Sequence, residues 1–287
     1  MSEDNSTSFI NLGDLSKPAN TLIEKVSSAV GGLFAPWQIK RVAKAKAEAY
    51  LIDEKNQIEI SDLHRRAMHR FVEEEAKRQQ NMEEITKKSL AYLNEDSKPD
   101  QMEDDWITNF FDKSRIISDD DMQKLWSQVL AGEANSPGSF SKRTVNLLSD
   151  LDKKDAELFQ TLCRFVWNFG DNQPLVPFVY DMSEEIYNKH GIDFESLTHL
   201  DSLGLISFHG LAGFLLNGLP KNLTAKYYDQ KLSLILPKES ENEIGIGSVI
   251  LSQTGKELAK IALTVPVDDF FDSVRVKWIE FLPNQKA

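Results

Sequence analysis

The stretch Ile117–Phe159, ISDDDMQKLWSQVLAGEANSPGSFSKRTVNLLSDLDKKDAELF, limits what the chain can fold into more than any other. It holds three helix start-and-stop signals in a row. Ser118 reads as an N-cap followed by acidic residues in the first turn, which suits the positive end of a helix dipole. Met122, Leu125, Trp126, Val129 and Leu130 recur at the spacing of one buried helical face. Pro137–Gly138 breaks that helix, within the link Glu-Ala-Asn-Ser-Pro-Gly. Ser139 or Ser141 opens a second helix through Val145, Leu147 and Leu148. Ser149 or Asp152 opens a third.

Ahead of this core, residues 1–15 read as a mobile tail and residues 16–100 as amphipathic and charged long helices. Leu22, Ile23, Val26 and Val30 share one helical face, which Gly31–Gly32 ends. An apolar corner follows at Leu33, Phe34, Pro36 and Trp37. Next come Lys40, Arg41, Lys44 and Lys46, with no acidic residue before Glu48, so these four form a candidate membrane or anion patch. Packing of this segment into the helical core is the preferred alternative to an anionic surface. From Ser61 to Leu93 opposite charges recur three or four residues apart, the mark of a solvated helix. Its apolar stripe (Leu63, Met68, Phe71, Val72, Met82, Ile85, Leu90) is thin and calls for a partner helix. An antiparallel hairpin with residues 37–58 or a coiled-coil-like dimer contact would supply one. Asn94–Gln101 reads as a polar linker, and a helix over Glu103–Lys113 leads into the core at 101–150.

The C-terminal part, 151–287, changes character. The expected order is a helix over Asp155–Asn168, a strand at Leu175–Tyr180, and helices at Ser183–His190 and Asp193–Leu203. After a turn at Gly204, strand-like runs follow at Lys231–Pro237 and Ile244–Ser252, then a helix from Thr254. That is the winged-helix order, with an insertion at 208–230 before the wing. The alternation in VRVKWIEF, within Val267–Leu282, allows one more strand. The fold class expected is mainly α: N-terminal long helices and a helical core, followed by a winged-helix-like α+β domain.

Composition enters as a filter. No run approaches the roughly 18 apolar residues of a membrane span. The acidic, polar start MSEDNSTSF is neither a signal nor a transit peptide. Cys163 stands alone in an apolar run, so a reducing cytoplasm is the default setting. A net charge of −12 opposes general adhesion to nucleic acid or anionic lipid. The third helix of the C-terminal domain holds Asp193, Glu195 and Asp201 with no Lys or Arg, and Glu239, Glu241 and Glu243 mark the wing. DNA affinity rests on cations at phosphates, so a protein partner is expected and DNA is not.

No motif for a catalytic, metal or cofactor site emerges. His64 and His69 lie five apart, out of register for an i, i+4 metal pair. Asp119, Asp120 and Asp121 point about 100° apart and cannot converge on one ion, so helix-terminal charge explains them. Gly245 and Gly247 lack a phosphate-loop signature. The most site-like surface is the link, where Glu133, Asn135, Ser136 and Ser139 form a candidate interaction surface; a structural turn asks for the same residue types.

Leu125, Trp126, Leu130, Ala131, Pro137, Leu147, Leu148, Leu151, Asp155, Ala156 and Phe159 carry a resemblance. Around them the chain resembles an uncharacterised bacterial family that looks related to the abortive-infection-alpha proteins. The resemblance spans about residues 15–165 and is most specific over 104–159. It implies no chemistry and no catalytic residues. It implies a bacterial or prophage setting, with abortive infection or phage defence as the role. Taken with the residues, the expectation is a non-enzymatic interaction or sensor protein, acting by self-assembly as a homo-oligomer and by binding a protein partner of phage origin. The alternative is a winged-helix DNA-binding regulator.

Overall fold

A computed structural model describes residues 15–31, 62–169, 175–262 and 264–283. The basic patch Lys40, Arg41, Lys44 and Lys46, the Leu33–Trp37 corner and the 37–58 hairpin lie outside the described residues, as does the expected tail apart from Leu15. The chain forms two compact units, Met1–Ser149 and Asp150–Ala287. Helices dominate, joined by small antiparallel sheets.

In the first unit, α1 (Lys17–Ala29) starts at the N-cap Ser16, whose hydroxyl accepts from the Ala19 N–H, and buries Ala19, Leu22, Ile23 and Val26. It packs on the turn Pro99–Gln101 and on α3 (Asp104–Ser114), where Lys25 meets Asp104 at 2.7 Å. Helix α2 (Asp62–Ser89) is 28 residues long. Among the described residues its second half is covered, chiefly by α4 (Asp120–Asn135). A polar chain fixes that pairing. Asn81 Nδ2 donates to the Arg115 carbonyl, Gln123 Nε2 to the Ile117 carbonyl, and Lys88 reaches both Gln123 and Asp120. Around it Phe110, Trp126 and Ile85 are fully buried, with Phe110 edge-on to Trp126 at 5.1 Å. Each such side chain contributes about 1.5–3 kcal/mol by leaving water. The N-cap of α4 is Asp119 rather than the expected Ser118, because its carboxylate accepts from both Asp121 and Met122 N–H. Asn94–Gln101 is not a free linker. Pro99 is buried, and the Lys98 N–H donates to the Ala134 carbonyl at 2.8 Å. Helix α5 (Lys142–Asp150) follows Ser141, whose hydroxyl accepts from Thr144 N–H.

The second unit opens with α6 (Lys153–Cys163), capped by Asp152 in a reciprocal box with Asp155. The helix expected to reach Asn168 stops at Cys163. Leu162, Phe165, Val166 and Phe169 fit a helical stripe, but Phe165, Trp167 and Phe169 are buried in strict alternation, with Trp167 in the strand β1 (Val166–Asn168) and the two Phe residues flanking it. Strand β1 pairs with β2 (Leu175–Pro177). The short α7 (Glu185–Asn188) and then α8 (Phe194–Ser202), capped by Asp193, lead through Gly204 to β3 (Ile206–Phe208). The 208–230 insertion and the wing runs form one continuous excursion. Strands β4 (Phe214–Leu219), β5 (Asn222–Tyr227), β6 (Gln230–Ile235) and β7 (Asn242–Gly247) follow in order, and β8 (Val249–Leu251) returns to β3. The runs expected as the two wing strands are not partners. Strand β4 pairs with β7, while β5 pairs with β6 on one side and with β1 on the other, giving a four-stranded sheet in the order β2-β1-β5-β6.

Two close contacts hold this excursion. Asn242 is buried, with Nδ2 donating to the Leu219 and Lys238 carbonyls and Oδ1 accepting from Lys238 N–H, so it pins the corner between the hairpins. Gly247 has φ +90°, and a Cβ there would lie 2.1 Å from the Val179 carbonyl oxygen, so only glycine fits. After α9 (Gln253–Ala259), the tail is helical where a strand was expected. In α10 (Phe270–Lys277) and the turn after it, Phe270, Val274 and Trp278 are buried four apart, a stripe that outweighs the short alternation. Trp167 sits at the centre, stacked on Tyr227 at 5.2 Å and on Phe271 at 5.5 Å.

Candidate interaction surfaces

The link after α4 is a clasp. Glu133 is buried, and its carboxylate receives Gly138 N–H at 2.7 Å on one oxygen and Phe140 N–H at 2.9 Å on the other. Burial lifts its carboxyl above the usual carboxylate range, and the N–H groups of Gly138, Phe140 and Ser139 oppose that rise. Asn135 accepts from Asn94 N–H and donates to the Tyr92 carbonyl, both at 2.9 Å. The Ser139 hydroxyl donates to the Gly132 carbonyl, and Trp106 Nε1 to the Phe140 carbonyl at 2.7 Å. A Cβ on Gly132 would stand 2.5 Å from the Phe140 ring, so that glycine lets the ring lie against α4. Of the four residues singled out on the link, Glu133, Asn135 and Ser139 are turned into these bonds, while Ser136 is exposed.

The exposed side of α8 has a different chemistry. Phe194 is 63% exposed, its ring edge-on to Phe208 at 5.6 Å. Beside Gly210 the Phe208 ring, Met182 and Phe194 converge within 4 Å of one point. Glu195, Thr198, His199 and Ser202 line a shallow depression with Phe194. His199 Nε2 meets Asp155 at 2.7 Å, and Asp201 accepts from Phe208 N–H. Leu211 and Leu215 are also exposed on the neighbouring loop and strand. Phe194 was not legible as surface, because it stands three residues before Leu197 and reads as part of the buried stripe. α8 holds no Lys or Arg, and its one basic side chain, His199, is turned to Asp155.

On α2, Leu63, Met68, Phe71 and Val72 are between 48% and 64% exposed. His64 and His69 stand exposed on α2, and among the described residues no group of His, Cys, Asp and Glu is arranged to hold a metal. Cys163 is buried, and burial pushes its thiol up out of the reactive range. Asp120 is held down to about 2 by hydrogen bonds from Lys124 and Lys88, so the acidic triplet serves the α4 terminus. Among the described residues no helix is long and apolar enough to cross a membrane.

A family model described as protein of unknown function (DUF2806) matches residues 65–275. The chain belongs to the DUF2806 family. The match begins in α2 and ends in α10, so it takes in parts of both units. No curated protein and no solved structure matches this DUF2806 chain.

Proposed function

We propose that this DUF2806 protein is a non-enzymatic interaction protein that works by self-assembly through α2 and by docking a protein on its C-terminal unit. The observation that carries the reading is the α8 face. An exposed aromatic ring backed by Phe208 and Met182 stands beside Glu195, with no Lys or Arg on the helix. Solvent-facing aromatics rimmed by polar groups are what protein interfaces use as anchors. Duplex phosphates require cations instead.

The second reading, a DNA-binding regulator, draws on the winged-helix-like order of α8, β3, β8 and α9, in which α8 would be the reading helix. Its acids stand against it. A fluorescence-anisotropy titration of the full chain with duplex DNA at low salt separates the two. No binding is expected. Tight, salt-sensitive binding with a sequence preference would put the regulator first. The setting we propose is abortive infection or phage defence, supported by the pattern of residues 104–159 alone. Phage challenge of cells with and without the gene tests it, and equal survival would remove the setting.

A further inference from the structure

The four-stranded sheet of the second unit ends at β6, whose partner in it is β5. The turn between them, Tyr228 and Asp229, is two residues long. Tyr227 and Gln230 therefore exchange main-chain hydrogen bonds, and bonded pairs fall on every second residue from there. The Leu236 N–H donates to the Lys221 carbonyl at 2.7 Å, which fixes the same parity at the far end. Gln230, Leu232 and Leu234 thus turn their N–H and C=O groups to β5, while Lys231, Ser233 and Ile235 turn theirs away from it. Among the described residues none of these outward groups has a hydrogen-bond partner. The side chains of Lys231, Ser233 and Ile235 are exposed, whereas Leu232 and Leu234 are buried. Three donors and three acceptors in a row are a template for another extended backbone.

Charge along this edge is uneven. Lys231 stands directly opposite Lys226 on the outer face, where like charges repel. Neither lysine forms an ion pair among the described residues, although Asp229 lies in the turn beside them. Past Ile235 the chain becomes acidic, with Glu239, Glu241 and Glu243.

We propose that the β6 edge takes an extended acidic segment of a partner protein as a fifth, antiparallel strand. The partner residue opposite Lys231 brings a carboxylate to the two lysines. The residue opposite Ile235, four places earlier in the partner, is apolar. The acids beyond Ile235 repel a second negative group there and keep the partner's carboxylate at the Lys231 end. A second copy of β6 does not meet these terms. It holds Lys231 and no carboxylate, so pairing with itself leaves the lysines uncompensated. The α8 face plays no part in this contact.

The test uses the full chain and a fluorescein-labelled synthetic peptide, Thr-Ile-Val-Thr-Val-Glu-Ser. Its Ile, second Thr and Glu face Ile235, Ser233 and Lys231. Fluorescence anisotropy should show saturable binding at micromolar to millimolar concentration. Amide hydrogen exchange should slow at Lys231, Ser233 and Ile235, while Leu232 and Leu234 are already held by β5. Replacing the peptide's Glu with Lys should weaken binding about fivefold, the scale of one exposed ion pair. Lys231→Glu should reverse that preference. Methylating the nitrogen of the second Thr, which donates to Ser233, should abolish binding. Methylating the nitrogen of the Val after it, which points away, should not. Ser233→Pro removes an N–H that has no partner, so the circular dichroism should hold and binding should be lost. The methylated peptides give the same answer without altering the chain. No binding, equal binding by the Glu and Lys peptides, or exchange unchanged at the three outward amides overturns the proposal. Slowing of those amides with rising protein concentration and no peptide would also overturn it, and give the edge to a second copy.

Discussion

Replacing Glu133 with Gln tests the clasp after α4 at the level of single hydrogen bonds. Both carboxylate oxygens accept a backbone N–H, from Gly138 and from Phe140. The amide retains one acceptor and turns its NH2 against the other N–H, so one charge-assisted bond is lost and a buried donor is left facing a donor. That costs about 2–3 kcal/mol. For a unit of this size the midpoint should fall by about 5–10 °C. Calorimetry of the full chain measures the fall, and hydrogen exchange at Gly138 and Phe140 should locate it. The pH dependence follows from burial raising the folded-state value of Glu133. The folded chain then holds a proton that the unfolded chain releases near pH 4.3, so this group's contribution is fully present below that pH and is lost as pH rises through the raised value. Equal midpoints at neutral pH would refute the clasp, and an NMR titration of the Glu133 carboxyl below the usual carboxylate range would refute the burial argument.

Trp126→Ala should cost about 3–5 kcal/mol, because the indole is fully buried against Phe110, and an unchanged thermal midpoint would contradict its central place. The Asp120 carboxyl should titrate near 2 by NMR and move upward in Lys124→Met, the first of its two lysine partners. Its depressed value means that its contribution is present above the unfolded carboxylate range and is lost as pH falls towards 2.

The helical core was legible because its signals agree with one another. Asp152, one of the two starts that the sequence offers for the third helix, is its cap in the structure, and Val129, Leu130 and Trp126 repeat at one period over a full helix. Legibility failed where two periods fit the same residues. Phe165 to Phe169 satisfies both a helical and an alternating count, and only the partner strand Leu175–Pro177 decides between them. Strand β5 alternates Leu223, Ala225 and Tyr227 inward, but its pairing with β1 at Asn168↔Lys226 reaches far along the chain and leaves no local mark. The clasp was visible as a set of polar residues and invisible as a structure. Turn chemistry and binding chemistry use the same side chains, and only burial of Glu133 separates them. The α8 face was missed for the converse reason, since an exposed Phe194 carries the spacing of a core residue.

Site-specific photo-crosslinking in native cells tests the central claim, that α8 docks a protein. A photoreactive side chain at Thr198, in the depression beside Phe194, should give a discrete protein adduct that Phe194→Glu removes. The same probe at Lys154, exposed on α6, should not give that adduct. No adduct at 198, or the same adducts at both positions, would contradict the account.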